Sequence, residues 1–558
     1  MPSVSDHEPA APLERAPPWA IAAVLASLLG LAYVIAAPPS SDLAAAAYRS
    51  DLFSRAGFTV WDNSWYGGHH LPAYSVLAPA LGAWIGPQLE AALSAIAATA
   101  LFALLIDGCF PARATRIAAV WFALGVSVEL LSNRIPFDLG LALGLGALLA
   151  ARAQRGRYAI CGLALALAVL CALASPVAGA FLALAFLAWA LAGPARAWPI
   201  ALTLAALAPI ALLVLAFPEG GSQPFVASAF YPALLAIIVI AALIVRDRRE
   251  STGDGHFETG PRVLAIGMLL YAVALLGAFL IPTAVGGNAD RLGALLAGPL
   301  AACVLYPRRR LLLLVLAPLL CYWQVKAPIT DFASAASDPA VHASYYTPLL
   351  DELRVLGVGY GSPPTHPARI EVVPTRNHWE ARWVAPHVML ARGWERQLDQ
   401  DRNALFYDES RSPLTPARYR AWLSEEAISY VALPDAPLDY SAKGEARLLR
   451  SGELAYLREI WHAAHWRLFA VLGARPLAEE PAVLRSVRSD SFTISVPHSG
   501  NTTVRIRFTP YWAILDGDGC VRQAPGGWTE VQARRAGSVH VGIDFSLERI
   551  FNHGPRCS

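Results

Sequence analysis

Charge is what this 558-residue chain has least of. Only 15% of its residues are Asp, Glu, Lys or Arg, against 56% hydrophobic, where a soluble protein carries about a quarter charged residues. That supply cannot cover a water-exposed surface of this size, so the soluble classes are excluded. The charges present nearly cancel, 44 Lys and Arg against 42 Asp and Glu. No basic stripe runs along any segment, which argues against a nucleic-acid partner. Cysteine is sparse, seven residues, with neither a zinc nor a CxxC spacing. Cys109, Cys161, Cys171, Cys303 and Cys321 fall in or beside apolar segments, as small buried thiols do. The opening "MPSVSDHEPAAPLERAPPW" lacks the basic region of a cleaved leader, so the first apolar run is expected to be retained. No internal repeat is visible.

What is present is one apolar run after another, near 19–37, 87–106, 117–131, 137–151, 158–175, 177–192, 198–217, 228–246, 263–281, 292–306 and 311–325. Several approach the roughly 20 residues that cross a bilayer. The fold class expected is a polytopic α-helical membrane bundle of about eleven transmembrane helices. Arginine alternates between its loops: "PARATR", "ARAQRGR", "PARAW", "VRDRRE" and "YPRRR" are rich, while "SNRIPFD", "SPVAG", "PEGGSQPF" and "PTAVGGNADR" hold one at most. Arginine-rich loops stay in the cytoplasm. The expected layout is a cytoplasmic tail over 1–18, a membrane domain over 19–325 with a long first outer loop at 38–86, and an extracytoplasmic remainder. Within that loop, "LPAYSVLAPALGAWIG" (71–86) is apolar but broken by proline and glycine, as in an interfacial or re-entrant segment.

After Val325 polar residues return. Alternating stretches such as "ISYVALP", "SFTISVP" and "TTVRIRF" read as strands, with helical stretches, "PARYRAWLSEE" and "EARLLRSGELAYLREIWHAAH", between them. A mixed α/β domain over 326–480 and a β-rich domain over 481–558 are expected. Cys520 and Cys557 fall in this oxidising compartment, where a disulfide between them is one outcome and free thiols the other.

Polar and aromatic residues concentrate in "YRSDLFSRAGFTVWDNSWYGGHHLPAYSVL". Trp61, Trp65 and Tyr66 suit an interfacial belt or the edge of a sugar site. Asp51 and Asp62 are candidate catalytic carboxylates. Arg55, His69 and His70 are candidate phosphate or metal ligands, and the glycine pair permits positive φ or close backbone approach. Arg134 and Arg291 come from other outer loops and could converge on the same cavity. In "TRNHWEARWVAPHVMLARGWERQLD", His378, Trp379, Glu380 and Trp394 offer aromatic faces with polar neighbours, a pattern suited to sugar rings and equally to a packed helix face.

A retained first helix, a long acidic first outer loop with an interfacial segment, many further helices and an outer C-terminal domain resemble the GT-C glycosyltransferases. "DLFSR" (51–55) is similar in kind to the acidic, aromatic and basic cluster those families carry after helix one. The resemblance covers about 19–330 and lacks the family's paired acidic doublet. It implies transfer of a sugar from a polyprenyl-phosphate carrier to an extracytoplasmic cell-envelope glycan or lipid, with Asp51 first and Asp62 second as base. A divalent cation, Mg²⁺ or Mn²⁺, is the candidate cofactor. "WDNSWYGGHHLPAYSVLAP", "NRIPFDLGLALGLGALLA", "GGNADRLGALLAGPL" and "LARGWERQLD" also resemble passages of large actinobacterial membrane proteins. Two rival readings are a transporter or flippase, which needs ionisable groups at mid-membrane, and a non-enzymatic envelope assembly protein displaying its outer domain.

Overall fold

The computed structural model describes residues 17–153, 158–250, 259–360, 366–407 and 412–557. The tail expected over 1–18 lies almost wholly outside them. Each expected apolar run is a helix. In chain order the helices are α1 (Pro18–Ala36), α2 (Ser41–Ala56), α3 (Ala78–Ile85), α4 (Pro87–Ile106), α5 (Ala112–Glu129), α6 (Ile135–Arg152), α7 (Tyr158–Ala174), α8 (Pro176–Ala192), α9 (Ala197–Ala216), α10 (Ala227–Glu250), α11 (Thr259–Leu280), α12 (Arg291–Leu305) and α13 (Arg310–Ala336). Among the described residues eight of these are long and apolar enough to cross a membrane, and α7 and α8 are shorter apolar helices. The chain is a multi-pass membrane protein. α13 continues past the expected end at Val325 to Ala336, because its last turns are held by polar contacts: Asp331 accepts from Ser132 Oγ at 2.7 Å, and Ser334 donates to Asn377 at 3.0 Å.

The first loop is built, not merely spanned. Ser40 caps α2 by accepting from the Leu43 N–H, satisfying one of the helix's orphan donors. Gly57 stops the helix at positive φ. β1 (Trp61–Asp62) and β2 (His69–His70) then pair antiparallel, Trp61 opposite His70 and Asp62 opposite His69. In α3, Pro79 near the start and Gly86 at the end confine the helix to eight residues, too short to span. Its Trp84 is 82% exposed, as an aromatic at a membrane interface would be.

A mixed domain follows α13. Its five-stranded sheet, ordered β4-β3-β5-β7-β6, comprises β3 (Arg369–Val372), β4 (Met389–Leu390), β5 (Ile428–Pro434), β6 (Leu457–Ala463) and β7 (Trp466–Val471). The last part is a β-sandwich of two four-stranded sheets, β10-β13-β12-β15 and β11-β14-β9-β8. Its strands are β8 (Val483–Arg488), β9 (Ser491–Val496), β10 (Gly500–Arg507), β11 (Trp512–Asp516), β12 (Gly519–Gln523), β13 (Trp528–Ala533), β14 (Gly537–Ile543) and β15 (Arg556–Cys557). Alternating side chains such as Phe492, Ile494, Val504, Val531 and Val541 fill the space between its sheets. Cys520 and Cys557 stand opposite each other on β12 and β15 and are joined as a disulfide.

Candidate functional site

Two polar regions lie at the same end of the bundle, and only one is a cavity. The segment Val60–His70 is buried throughout and works as a seam between the bundle and both C-terminal domains. Trp61 inserts into the sandwich core, 5.8 Å from Trp512 with the rings edge-on. Trp65 and Tyr66 belong instead to the bundle and mixed-domain core. Backbone bonds run from the seam to all sides: Asn63 N–H to Ser489 O, Leu390 N–H to Ser64 O, and Arg507 N–H to Gly67 O, each at 2.7–2.8 Å. The glycine pair is required twice over. Gly67 and Gly68 have φ of +73° and +122°, and a Cβ on Gly68 would stand 2.3 Å from the Trp61 ring.

Of the seam's ionisable groups, Asp62 and His70 have polar partners and His69 has none. Asp62 accepts from Tyr48 Oη at 2.7 Å; burial pushes its carboxyl up, against the hydrogen bonds from Tyr48 and Ser64. His70 Nδ1 lies 2.8 Å from Glu219, its Nε2 3.1 Å from Thr509 Oγ1, and Arg402 pairs with the same Glu219 at 3.2 Å. Burial works against the Glu219 charge, but His70 and Arg402 more than offset it, so its carboxyl sits below the ordinary range. His69 stacks on Trp65 at 5.2 Å, with neither ring nitrogen hydrogen-bonded. Burial pushes its pKa down to about 3, so it is a neutral aromatic slab. Among the described residues no group of three or more His, Cys, Asp or Glu can hold a metal ion.

Asp51 and Arg55, the other candidates of this loop, sit on α2 and do not line the cavity described below. Asp51 is half-exposed and paired with Arg382, and Arg55 is exposed. The outer-domain candidates are also seam residues. His378 lies between Glu380 and Asp439, and Arg396 doubly bonds Asp439 at 2.8 Å. Burial opposes the His378 charge, but the two carboxylates raise its pKa to about 9. Glu380 accepts from Thr375 at 2.7 Å, Trp379 is buried, and Trp394 donates to Ser41 O at 2.9 Å.

The cavity, about 240 Å³, opens where α5, α6, α12 and α13 meet the 218–226 and 281–290 loops. Both anticipated arginines line it. Arg134, just before α6, is held by three carboxylates: Glu129 at 3.0 Å, Asp331 at 3.2 Å and Asp42 at 3.6 Å. Arg291, the first residue of α12, lies 5.5 Å from the Phe137 ring and makes no ion pair with any described residue. On the wall beside it, Trp323 Nε1 donates to the Asp290 carboxylate at 3.1 Å. Burial pushes the Asp42 carboxyl up to about 6, although Arg134 and Arg291 pull it down. The cavity wall thus offers a guanidinium without an ion pair, a second one fixed by carboxylates, and an indole; Asp42 does not line it and reaches it through its contact with Arg134.

The sequence reading reached Arg134 and Arg291 and missed Asp42, Glu129, Asp290 and Asp331. Asp290 adjoins Arg291, and Glu129, the last residue of α5, stands five residues before Arg134, so carboxylates flanking arginines on the arginine-poor side were the available signal. Asp331 was hidden by ending the last span at Val325.

No protein-family model matches the chain, and no curated protein matches it. Solved structures do. The chain is similar to the arabinofuranosyltransferase AftD from Mycobacteria, with a TM-score of 0.47 and 13% identity over 95% of this chain. It spans 57% of that protein's length. It is also similar to the archaeal oligosaccharyltransferase AglB from Archaeoglobus fulgidus, solved with an inhibitory peptide and a dolichol-phosphate. There the TM-score is 0.46 and the identity 12%, over 75% of this chain and 69% of that one.

Proposed function

We propose that the cavity between Arg134 and Arg291 is a glycosyl-transfer site, taking a sugar from a polyprenyl-phosphate carrier to a hydroxyl of an extracytoplasmic envelope glycan or lipid. The observation that carries this is Arg291: a guanidinium without an ion-pair partner among the described residues, facing a cavity at the end of a lipid-embedded bundle. A half-buried cation with no carboxylate in ion-pair contact is incompletely satisfied, and a carrier phosphate entering from the bilayer would satisfy it with charge-assisted hydrogen bonds. The arginine-poor loops gather at this end, which supports its facing outward, with the arginine-rich turns in the cytoplasm.

The chemistry asks for two things, removal of the acceptor's proton and stabilisation of the departing phosphate. Arg291 takes the phosphate charge, with Arg134 behind it, preorganised by its three carboxylates. Asp42 takes the proton. Glu129 and Asp331 are engaged by Arg134, and Asp290 by Trp323, whereas Asp42 meets Arg134 only at 3.6 Å and has the near-neutral pKa a general base needs. The acceptor oxygen bonds to the anomeric carbon as the carbon–phosphate-oxygen bond breaks, and the phosphate leaves as the anion held by Arg291. Trp323 supplies a flat wall for the sugar.

The transporter reading finds less support. The buried carboxylates Glu90 and Asp138 lie in the first turns of α4 and α6, not at mid-membrane where a transport path would put them.

The test is sugar transfer from polyprenyl-phosphate-linked pentoses and hexoses by the purified chain in nanodiscs. Arg291→Ala should raise the donor KM and Asp42→Asn should lower kcat. Full transfer by both variants would sink the assignment.

A further inference from the structure

After β14 the chain does not trail away; it turns back toward the membrane end of the sandwich. The Asp544 N–H donates to Tyr511 O at 2.9 Å, and a 3₁₀ turn, Leu547–Ile550, follows. The far end is tied by β15 and the Cys520–Cys557 disulfide. Between them Arg549, buried, donates to Pro510 O and Gly554 O, both at 2.8 Å. Arg556 closes the neck on Asp544. This loop is braced at both ends and in the middle.

Its position is set by α9. Tyr511 Oη donates to the carbonyl of Ala216, the last residue of that helix, at 2.6 Å. Phe217 stacks on Phe545 at 5.8 Å, and Ile550 packs in the cluster of Leu213, Ala216 and Phe217. The turn therefore lies level with the end of a membrane span. Its largest outward side chains are apolar: Leu547 is 73% exposed and Phe551 80%. The same turns of α9 that the loop meets through Phe545 and Ile550 also carry Leu212, Val214 and Leu215, exposed, whose environment in a span is lipid. The apolar belt of α9 thus continues onto the sandwich, and the phase that covers one covers the other.

We propose that residues 545–551 are a membrane-interface wedge that seats the β-sandwich on the bilayer, with Leu547 and Phe551 at the boundary of headgroups and acyl chains. The occupant is the lipid surface itself. Recognition is apolar, because the loop's arginines are spent on Asp544 and on backbone carbonyls and its Glu548 is exposed, accepting from Asn552. Seating should therefore not depend on anionic lipid.

The control position lies at the other end of the sandwich. Trp512 pairs with Ile543 at the membrane end, and Gly537 with Val496 at the opposite end, roughly 20 Å away at about 3.3 Å per residue. The full chain would be reconstituted in nanodiscs of zwitterionic or anionic lipid, with Cys109, Cys161, Cys171, Cys303 and Cys321 replaced by serine. Nitroxides would be attached to Leu547→Cys, Phe551→Cys and Ser499→Cys. At 547 and 551, collisions with oxygen should exceed those with a polar nickel complex in both lipids, and at 499 the order should reverse. Mass mapping of the intact Cys520–Cys557 bond reports folding. A photoreactive phenylalanine analogue at 551 in the otherwise native chain gives a second readout and should crosslink to lipid acyl chains, whereas one at 499 should not. Aqueous accessibility at 551 equal to that at 499, absence of lipid crosslinks, or protection only in anionic lipid would each overturn the proposal.

Discussion

The seam at 61–70 and the cavity at Arg134 and Arg291 share one end of the molecule and much the same chemistry: aromatics, carboxylates and bases. They differ in what their charges face. In the seam Asp62 is held by Tyr48 and Ser64, His70 and Arg402 share Glu219, and His69 is neutral against Trp65. At the cavity Arg134 is triply held while Arg291 beside it has no ion-pair partner among the described residues, and about 240 Å³ stands open. Satisfied polar groups hold domains together; an unsatisfied one beside open volume is what a ligand completes. Richness in polar residues marks either equally, and only pairing separates them.

That contrast can be broken. The largest effect expected is on turnover: Asp42→Asn should cut sugar transfer about 10²–10⁴-fold with the melting temperature unchanged, as removal of a general base does. Transfer by the wild type should also fall as pH drops through about 6, where the Asp42 carboxyl protonates. Unchanged rates in both experiments would remove the cavity's claim.

The seam should answer in stability instead. Glu219→Ala leaves a buried His70 and a half-buried Arg402 without their carboxylate, and breaking a buried pair costs about 3–5 kcal/mol. Thermal unfolding in nanodiscs should show this, with transfer per folded molecule retained. If Glu219→Ala lost turnover but not stability, the seam would be catalytic after all.

A subtler sign comes from His378. Its folded pKa of about 9 lies above the ordinary value of 6.5, so its stabilisation is complete below pH 6.5 and is lost as pH rises through about 9. Melting temperature measured between pH 6 and 10 should decline over that window, and the decline should flatten in His378→Gln. The smallest effect belongs to Asp51→Asn. Its pair with Arg382 is half-exposed, and such pairs contribute about 0–1 kcal/mol, so stability and transfer should both stay near wild type. A large loss of transfer there would restore the loop carboxylate as base.

The helices and their order were legible in the sequence because each apolar run is a local fact: length and hydropathy decide a span without reference to any partner. The strands at 428–434, 491–496 and 500–507 were legible for the same reason, through alternation within a few residues, whereas β6 (Leu457–Ala463) was hidden inside a stretch, 445–465, that reads as one helix and in the fold is a helix only to Ser451. Arg134 and Arg291 could be singled out because they stand on loops otherwise poor in arginine. What composition could not convey was pairing. His70 meets Glu219 and Thr509, Asp51 meets Arg382, and Asp42 meets Arg134, across separations that no local pattern reports. Whether a charge is spent or free depends on which distant groups the tertiary fold brings within a few ångströms, since buried interactions are strong only at contact. The sequence by itself determined that this chain spans a membrane and carries polar chemistry at one end. Which of that chemistry became mortar and which was left open to a ligand was decided only by the packing.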